Sequence, residues 1–372
     1  MTAVDDYSYM ARAVRLAQRG LYTTDPNPRV GCVLVRDGEV VGEGWHERAG
    51  EPHAEVHALR SAGERARGAT AYVTLEPCCH HGRTPPCSRA LIDAGVTRVV
   101  AAMEDPNPRV AGQGLAELAD AGIQVQSGVL QGQAEALNPG FVRRMRTGRP
   151  FVRCKLAMSL DGRTAMASGE SKWITAEPAR QDVHRLRARS SAIMTGIGTV
   201  LADDPSLTVR LDEVAADGDA PQPLRVVLDP HLSMPATARM LSLAGDTLVF
   251  TACEEPALQR ELENAGARVV VLADGSDAVD LTRTLGYLGE QHINEVLLET
   301  GAVLSGAMLR AGLIDELVVY MAPHLMGDGA RGLFHLPGLD VMDQRLDVEI
   351  RDVRAVGRDW RITAVPCRQS PP

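Results

Sequence analysis

The sequence predicts an α/β protein built as two successive domains. Three observations lead there. At 372 residues the chain exceeds what one hydrophobic core usually fills. Strand-like and helix-like patterns alternate through both halves, as in layered α/β folds. Between residues 138 and 150 the pattern lapses into a turn-like stretch carrying Arg143, Arg144, Arg146 and Arg149, and a strand pattern restarts at Phe151. That basic run reads as a solvated linker face, which puts the domains at residues 1–147 and 148–368.

Each element follows from its local pattern. Residues 9–19 carry apolar side chains at helical spacing, and residues 31–35 and 40–44 read as a hairpin turning at Asp37-Gly38. Residues 54–62 read as a helix, 71–75 as a strand, 88–94 as a helix closed by Gly95, and 98–103 as a strand. In the second half, residues 151–157, 191–195, 225–229, 248–251, 268–272, 295–299 and 317–321 read as strands and 179–188 as a helix.

Composition narrows the function classes. Aromatics are only 3% of the chain, so both cores must be aliphatic. A formal charge of -9 argues against a nucleic-acid partner and favours a small substrate. No apolar run is long enough to span a bilayer, and the start, with Asp5 and Asp6, lacks the pattern of a secretory leader. The seven cysteines cluster only around 78–87, which suits a reducing, cytoplasmic compartment better than a disulfide framework. A symmetric homo-oligomer is the ordinary expectation.

One hexapeptide occurs twice, as Asp25-Pro26-Asn27-Pro28-Arg29-Val30 and as Asp105-Pro106-Asn107-Pro108-Arg109-Val110. It is too short for a structural repeat. Each copy flanks a strand, so the two are either rigid loops at one sheet edge offering Asn27 and Asn107 to a ligand, or unrelated Pro-fixed turns.

The chemistry-bearing constellation is Pro52-His53-Ala54-Glu55, then Leu75-Glu76-Pro77-Cys78, then Pro85-Pro86-Cys87. One imidazole and two thiolates suit Zn²⁺ and leave its fourth position open, the catalytic arrangement. A water activated there attacks a ring carbon bearing an amine, with Glu55 as the proton shuttle. His53 and Glu55 are two residues apart, so they share a site only at a helix's first turn. The order His-x-Glu then Pro-Cys resembles zinc deaminases, but eight residues separate Cys78 from Cys87 where the usual signature has two. That insert offers Cys79, His80 and His81 as rival ligands, and His57 stands four residues from His53. A metalloprotease arrangement would need a Glu where Ala54 stands, and a structural zinc knuckle would need a fourth ligand and leave Glu55 idle.

The run from Leu75 through Cys87, with His53-Ala54-Glu55 and residues 26–31, resembles the bifunctional riboflavin biosynthesis deaminase/reductase family, and the similarity extends through both halves. The resemblance implies a cytidine-deaminase-like α/β/α domain acting on the 2-amino group of 2,5-diamino-6-(5-phosphoribosylamino)pyrimidin-4-one. It also implies substrate contacts at Asn27, His46, His80, Arg83, Asp105 and Asn107. An arginine pairs well with phosphate, and Asn or Asp side chains can read a pyrimidine edge.

The second domain begins with Lys155-Leu156-Ala157-Met158-Ser159-Leu160-Asp161-Gly162 and has no metal motif. Two of its strands run into glycine turns, Gly196-Ile197-Gly198-Thr199 and Thr300-Gly301, where backbone can approach a phosphate. Neither is a complete dinucleotide fingerprint. Together they resemble the family's dihydrofolate-reductase-like domain, which implies NADPH along Ala157, Trp173, Thr199, Asp203 and Gly301, Ala302, Val303, Leu304, Ser305, Gly306 and Ala307. It implies substrate at Ser171, Arg187, Leu207, Arg210 and Glu299, with guanidinium groups suited to the phosphate. Lys155 and Asp203 are the candidate acid/base groups for reduction of the ribosyl group to ribityl. Two rivals stand beside this reading: a nucleic-acid base deaminase with an appended domain, and a zinc-stabilised nucleotide-binding scaffold.

Overall fold

Asp37 and Gly38 both adopt positive φ, 52° and 82°, the geometry whose twist matches a tight hairpin. Around this turn the first of two units is organised. The computed structural model describes residues 3–80, 85–108, 110–211, 222–273, 275 and 277–367, and the chain divides into Met1–Arg149 and Pro150–Pro372. The first unit runs α1 (Ala3–Ala17), β1 (Gly31–Arg36), β2 (Glu39–Trp45), α2 (Ala54–Ala62), β3 (Thr70–Val73), α3 (Cys87–Asp93) and β4 (Arg98–Ala101). It continues through α4 (Gln113–Asp120), β5 (Gln124–Ser127), α5 (Gln131–Leu137) and α6 (Pro139–Thr147).

Its five strands lie in the order β2-β1-β3-β4-β5. β1 is antiparallel to β2 and β3, whereas β3, β4 and β5 are parallel. The start of β1 and the ends of β2, β3 and β4 therefore share one edge. Both hexapeptide copies lie there, one entering β1 and one leaving β4. Helices cover both faces. Gly31 faces α1 so closely that a Cβ would fall 2.0 Å from the Ala13 carbonyl oxygen, and on the opposite face a Cβ on Gly44 would fall 2.7 Å from that of Ala54. The second contact seats the first turn of α2 directly on β2.

One expectation fails. The stretch 138–150 is not a turn-like linker, because α6 occupies most of it. Pro139 stands at the helix start, where a missing N–H costs nothing. Phe141 and Val142 pack on the core while Arg146 pairs with Glu135 at 2.7 Å. Three of the four arginines, Arg143, Arg144 and Arg146, lie on this amphipathic helix.

The second unit runs β6 (Phe151–Ser159), β7 (Arg163–Ala165), α7 (Glu177–Ala188), β8 (Ala192–Gly196), α8 (Ile197–Asp203), β9 (Leu224–Leu228), β10 (Thr247–Thr251) and α9 (Pro256–Asn264). It then runs β11 (Ala267–Val271), α10 (Leu281–Glu290), β12 (Glu295–Leu298), α11 (Ala302–Arg310), β13 (Glu316–Ala322), β14 (Arg331–Gly332), β15 (Val348–Val356) and β16 (Asp359–Pro366). Nine strands order as β11-β10-β9-β8-β12-β6-β13-β16-β15. They are parallel from β11 to β13, with an antiparallel β15–β16 hairpin on one side. Apolar cores lie on both faces, one under α10 and α11 and the other under α7 and α9.

The chain lays β8 to β11 outward and then returns to insert β12 between β8 and β6. Such a reversal leaves a crevice at the carboxyl ends of the parallel strands. Gly196 caps α8 straight after β8, and Gly301 caps α11 three residues after β12, so two helix starts open into the same region.

At the opposite edge Arg153 is buried among acids. It pairs with Glu295 at 2.9 Å, both side chains 3% exposed, and also with Glu316, while Arg189 approaches Glu295 at 3.4 Å. Arg153→Ala removes the 2.9 Å partner of the buried Glu295. The expected cost is about 3 kcal/mol, as for other broken buried pairs, measured from the denaturant midpoint of the second unit. A loss below about 1 kcal/mol would match a solvated pair instead.

Candidate active site

His53 is the N-cap of α2, in extended backbone geometry, and Glu55 lies in the helix's first turn. Cys78 follows β3, and Cys87 is the first residue of α3 after Pro86. His53 Nδ1 lies 3.6 Å from Cys78 Sγ and 3.3 Å from Cys87 Sγ. All three ligand atoms fall within 4.8 Å of one another. Tetrahedral zinc with ordinary Zn–S and Zn–N bonds sets its N and S ligands about 3.6 Å apart, so the trio fits the metal. Among the described residues no other histidine, cysteine or acid completes such a cluster. His80 is exposed, and Cys79 turns toward Gln113. His81 and Arg83 lie outside the described residues.

The α3 start contributes electrostatically, and to the sulfur other than its own. The Cys87 backbone N–H donates to Cys78 Sγ at 3.4 Å. Hydrogen bonding from the Cys87 thiol, and then from His53, holds Cys78 down at about 4, as a thiolate. Pairing with Cys78 pushes the Cys87 thiol upward. Thiolate is the metal-ligating form.

Glu55 is 3% exposed and its carboxyl is within hydrogen-bonding reach of Cys87. Burial raises its pKa, with the His53 imidazole opposing. A carboxyl with its proton affinity raised in this way, within reach of a metal ligand, has the placement that an acid/base shuttle needs.

Around this centre sit the other residues of the first unit. Asn27 meets His46 Nε2 at 3.1 Å, and His46 Nδ1 meets the Pro52 carbonyl at 3.1 Å, which lets His46 brace the turn leading to His53. The two histidine rings stand edge to face, 5.4 Å apart. Asp105 lies within electrostatic reach of Cys78 and His80, and burial raises its pKa. Its side chain accepts the Asn107 N–H at 2.8 Å.

The second unit gathers its residues at the crevice. Lys155 and Ala157 lie on β6, Arg187 on α7, Thr199 and Asp203 on α8, and Glu299 at the end of β12. Lys172 pairs with Asp203 at 3.2 Å, which brings the segment holding Ser171 and Trp173 to the end of α8. Trp173 is 70% exposed, with the Arg180 guanidinium 4.8 Å from its ring centre. Gly301 caps α11, and residues 302–307 form its first turns.

Arg187 grips Glu299 with both arms of its fork, at 2.6 and 3.0 Å, and reaches the Thr208 carbonyl at 3.0 Å. Burial favours the neutral acid, but the Arg187 charge outweighs it and leaves Glu299 below the ordinary carboxyl range. Lys155 is lowered by burial and partly restored by Glu299. The Leu207 backbone is left-handed at φ 48°, and three residues later the exposed Arg210 gives its N–H to His184 Nδ1 at 3.2 Å.

Two participants escaped the sequence reading. His184, whose pKa falls to about 4 through burial and then the charges of Arg187 and Arg210, braces the 207–210 segment. Glu76 accepts four backbone amides. Both act on main chain far away in sequence, and the only local hint was the position of Glu76 beside Pro77-Cys78.

Comparison with known proteins agrees with both halves of this geometry. A family model described as the cytidine and deoxycytidylate deaminase zinc-binding region matches residues 3–103, and one described as the RibD C-terminal domain matches residues 150–362. The riboflavin biosynthesis protein RibD of Escherichia coli strain K12 is 54% identical over 362 residues, covering 95% of this chain and 97% of that protein. The Haemophilus influenzae protein of the same name is 48% identical, with 97% of each chain covered. The structure of Acinetobacter baumannii RibD superposes with a TM-score of 0.91 at 48% identity, over 98% of this chain and 99% of that one. The Thermotoga maritima diaminohydroxyphosphoribosylaminopyrimidine deaminase/5-amino-6-(5-phosphoribosylamino)uracil reductase does so at 0.84 and 34%, with the same coverage. The chain therefore belongs to the bifunctional RibD family of riboflavin biosynthesis enzymes, in which a zinc-dependent deaminase domain precedes a reductase domain.

Proposed function

We propose that the first unit deaminates 2,5-diamino-6-(5-phosphoribosylamino)pyrimidin-4-one and that the second reduces the ribosyl group of its product to ribityl with NADPH. The observation that carries this reading is the His53, Cys78 and Cys87 trio with the buried carboxyl of Glu55 against it.

In the first unit the trio holds the metal, whose chemistry when bound is to lower the pKa of water into the neutral range. Glu55 takes the proton of the attacking water and returns protons to the ring nitrogen and to the departing ammonia. Asn27, Asp105 and Asn107 from the two hexapeptides and His46 just past β2 are the ring contacts of this reading, and the family resemblance adds His80 and Arg83 as further substrate contacts.

In the second unit, residues 301–307, Ala157, Thr199, Asp203 and Trp173 hold the dinucleotide, which supplies the hydride for C1′. Arg187 is committed to Glu299 and keeps that carboxylate ionised beside Lys155. Arg210, exposed at the end of its segment, faces the phosphate, and Leu207 and Ser171 complete the wall. Lys155 delivers the proton that balances the hydride. All seven cysteines are free, in keeping with a reducing cytoplasmic setting. No described helix is long and apolar enough to cross a membrane. Assembly into a symmetric homo-oligomer completes the proposal.

Glu55→Gln removes the shuttle and leaves the ligands. It is expected to retain zinc while ammonia release falls about 100-fold or more. Retained deamination in a zinc-loaded variant would return the site to a scaffold role.

The reductase has its own signature. Lys155 is protonated below its folded pKa, which burial places under the ordinary 10.5. The reductase kcat/KM is therefore expected to fall as pH rises through a value below 10.5. In Lys155→Arg, whose guanidinium keeps its proton, that alkaline limb should vanish; an unchanged limb would remove Lys155 from proton delivery.

A further inference from the structure

Glu76 lies three residues past the end of β3, just before Pro77-Cys78, and it is 3% exposed. Its Oε2 accepts the backbone N–H groups of Asp105 and Gly112, both at 2.9 Å. Its Oε1 accepts those of Gly114 at 2.8 Å and Leu115 at 3.3 Å. One buried side chain thus gathers the connection between β4 and α4 around itself through four backbone amides. The fit is close: a Cβ on Gly114 would fall 2.0 Å from the Pro77 carbonyl oxygen. Gly112, at φ 78°, supplies the left-handed turn.

The bonds form a chain from the metal-ligating turn to the second hexapeptide. Glu76 holds the Asp105 amide, and the Asp105 carboxylate holds the Asn107 amide at 2.8 Å. The first hexapeptide is pinned by a different buried side chain. Asn138 accepts the Arg29 N–H at 2.8 Å and donates to the Arg29 carbonyl at 2.9 Å. Each copy is therefore fixed from a distant segment, at the edge where the metal ligands lie.

We infer that Glu76 is a positioning residue of the deaminase. It holds Asp105 and Asn107 as a preformed pyrimidine-reading edge beside Cys78, and so sets substrate affinity rather than metal retention or proton transfer. The inference rests on the proposed role of Asp105 and Asn107 as substrate contacts.

Glu76→Gln in the full chain tests it, because glutamine keeps the shape but turns an NH₂ group toward two of the four amide donors. The expected result is unchanged zinc content, unchanged reduction of the deaminated substrate, and a deamination KM raised about tenfold. The deamination kcat should stay within about threefold of wild type, since an affinity defect leaves it intact. Combined with Asn107→Ala, the two rises in KM should not multiply, because both variants disable one reading edge. Should the Gln variant fail to fold, Gly112→Ala strains the same clamp, and the same measurements apply. Unchanged KM, a fall in kcat alone, loss of zinc, or multiplicative KM effects would each overturn the inference while wild-type deamination stands. A wild-type chain that releases no ammonia from the diaminopyrimidine phosphate would overturn the functional reading and this inference with it.

Discussion

Two helices that start at one edge of a five-stranded sheet are the constraint on which the deaminase centre depends. The order of strands, with β1 antiparallel to its neighbours, delivers the ends of β2 and β3 to the same edge. α2 and α3 therefore begin close together, His53 caps one, and Cys87 opens the other. Close packing makes this rigid: Gly44 admits the first turn of α2 against β2. A three-ligand metal site needs its donors held to a fraction of an ångström, and here backbone geometry does most of that holding.

The second unit solves a similar problem with a different sheet. Inserting β12 between β8 and β6 opens a crevice flanked by the starts of α8 and α11. Glu299 stands at the end of the inserted strand, and Arg187, from a helix on one face, locks it. Both centres thus use the carboxyl ends of parallel strands, and both place a buried carboxyl against a cationic or proton-bearing partner. Their pKa shifts run in opposite directions for a physical reason. At Glu55 burial is the largest influence and raises the pKa, whereas Arg187 offsets the burial of Glu299 and keeps it ionised.

Much of this was legible in the sequence because it is written locally. Runs such as Arg225-Val226-Val227-Leu228 lie within buried strands, and His53-Ala54-Glu55 compresses a ligand and an acid into one helical turn. The two hexapeptides stood out as a repeat, but the sequence left open whether they were paired loops or unrelated turns, and what held them was not written locally. What stayed hidden is long-range. Arg187 and Glu299 are 112 positions apart, and no local pattern links them. Glu76 reads as one more acid in a turn until its four amide partners are known. α6 was masked by its arginines, since the apolar face beneath them spans only a few residues. The β15–β16 hairpin exposes Val348, Ile350, Val353 and Trp360, so it lacks the buried alternation that marks a strand.

The central claim is that one chain carries two chemically independent centres, the first needing zinc and the second not. A coupled assay of ammonia release and NADPH oxidation, run on the same full-length protein before and after zinc chelation, tests it most directly. The account predicts that chelation abolishes ammonia release and stops NADPH oxidation from the diaminopyrimidine substrate, yet leaves oxidation with the pre-deaminated substrate intact. Ammonia release that survives chelation, or reduction of the deaminated substrate that is lost with the zinc, would contradict it.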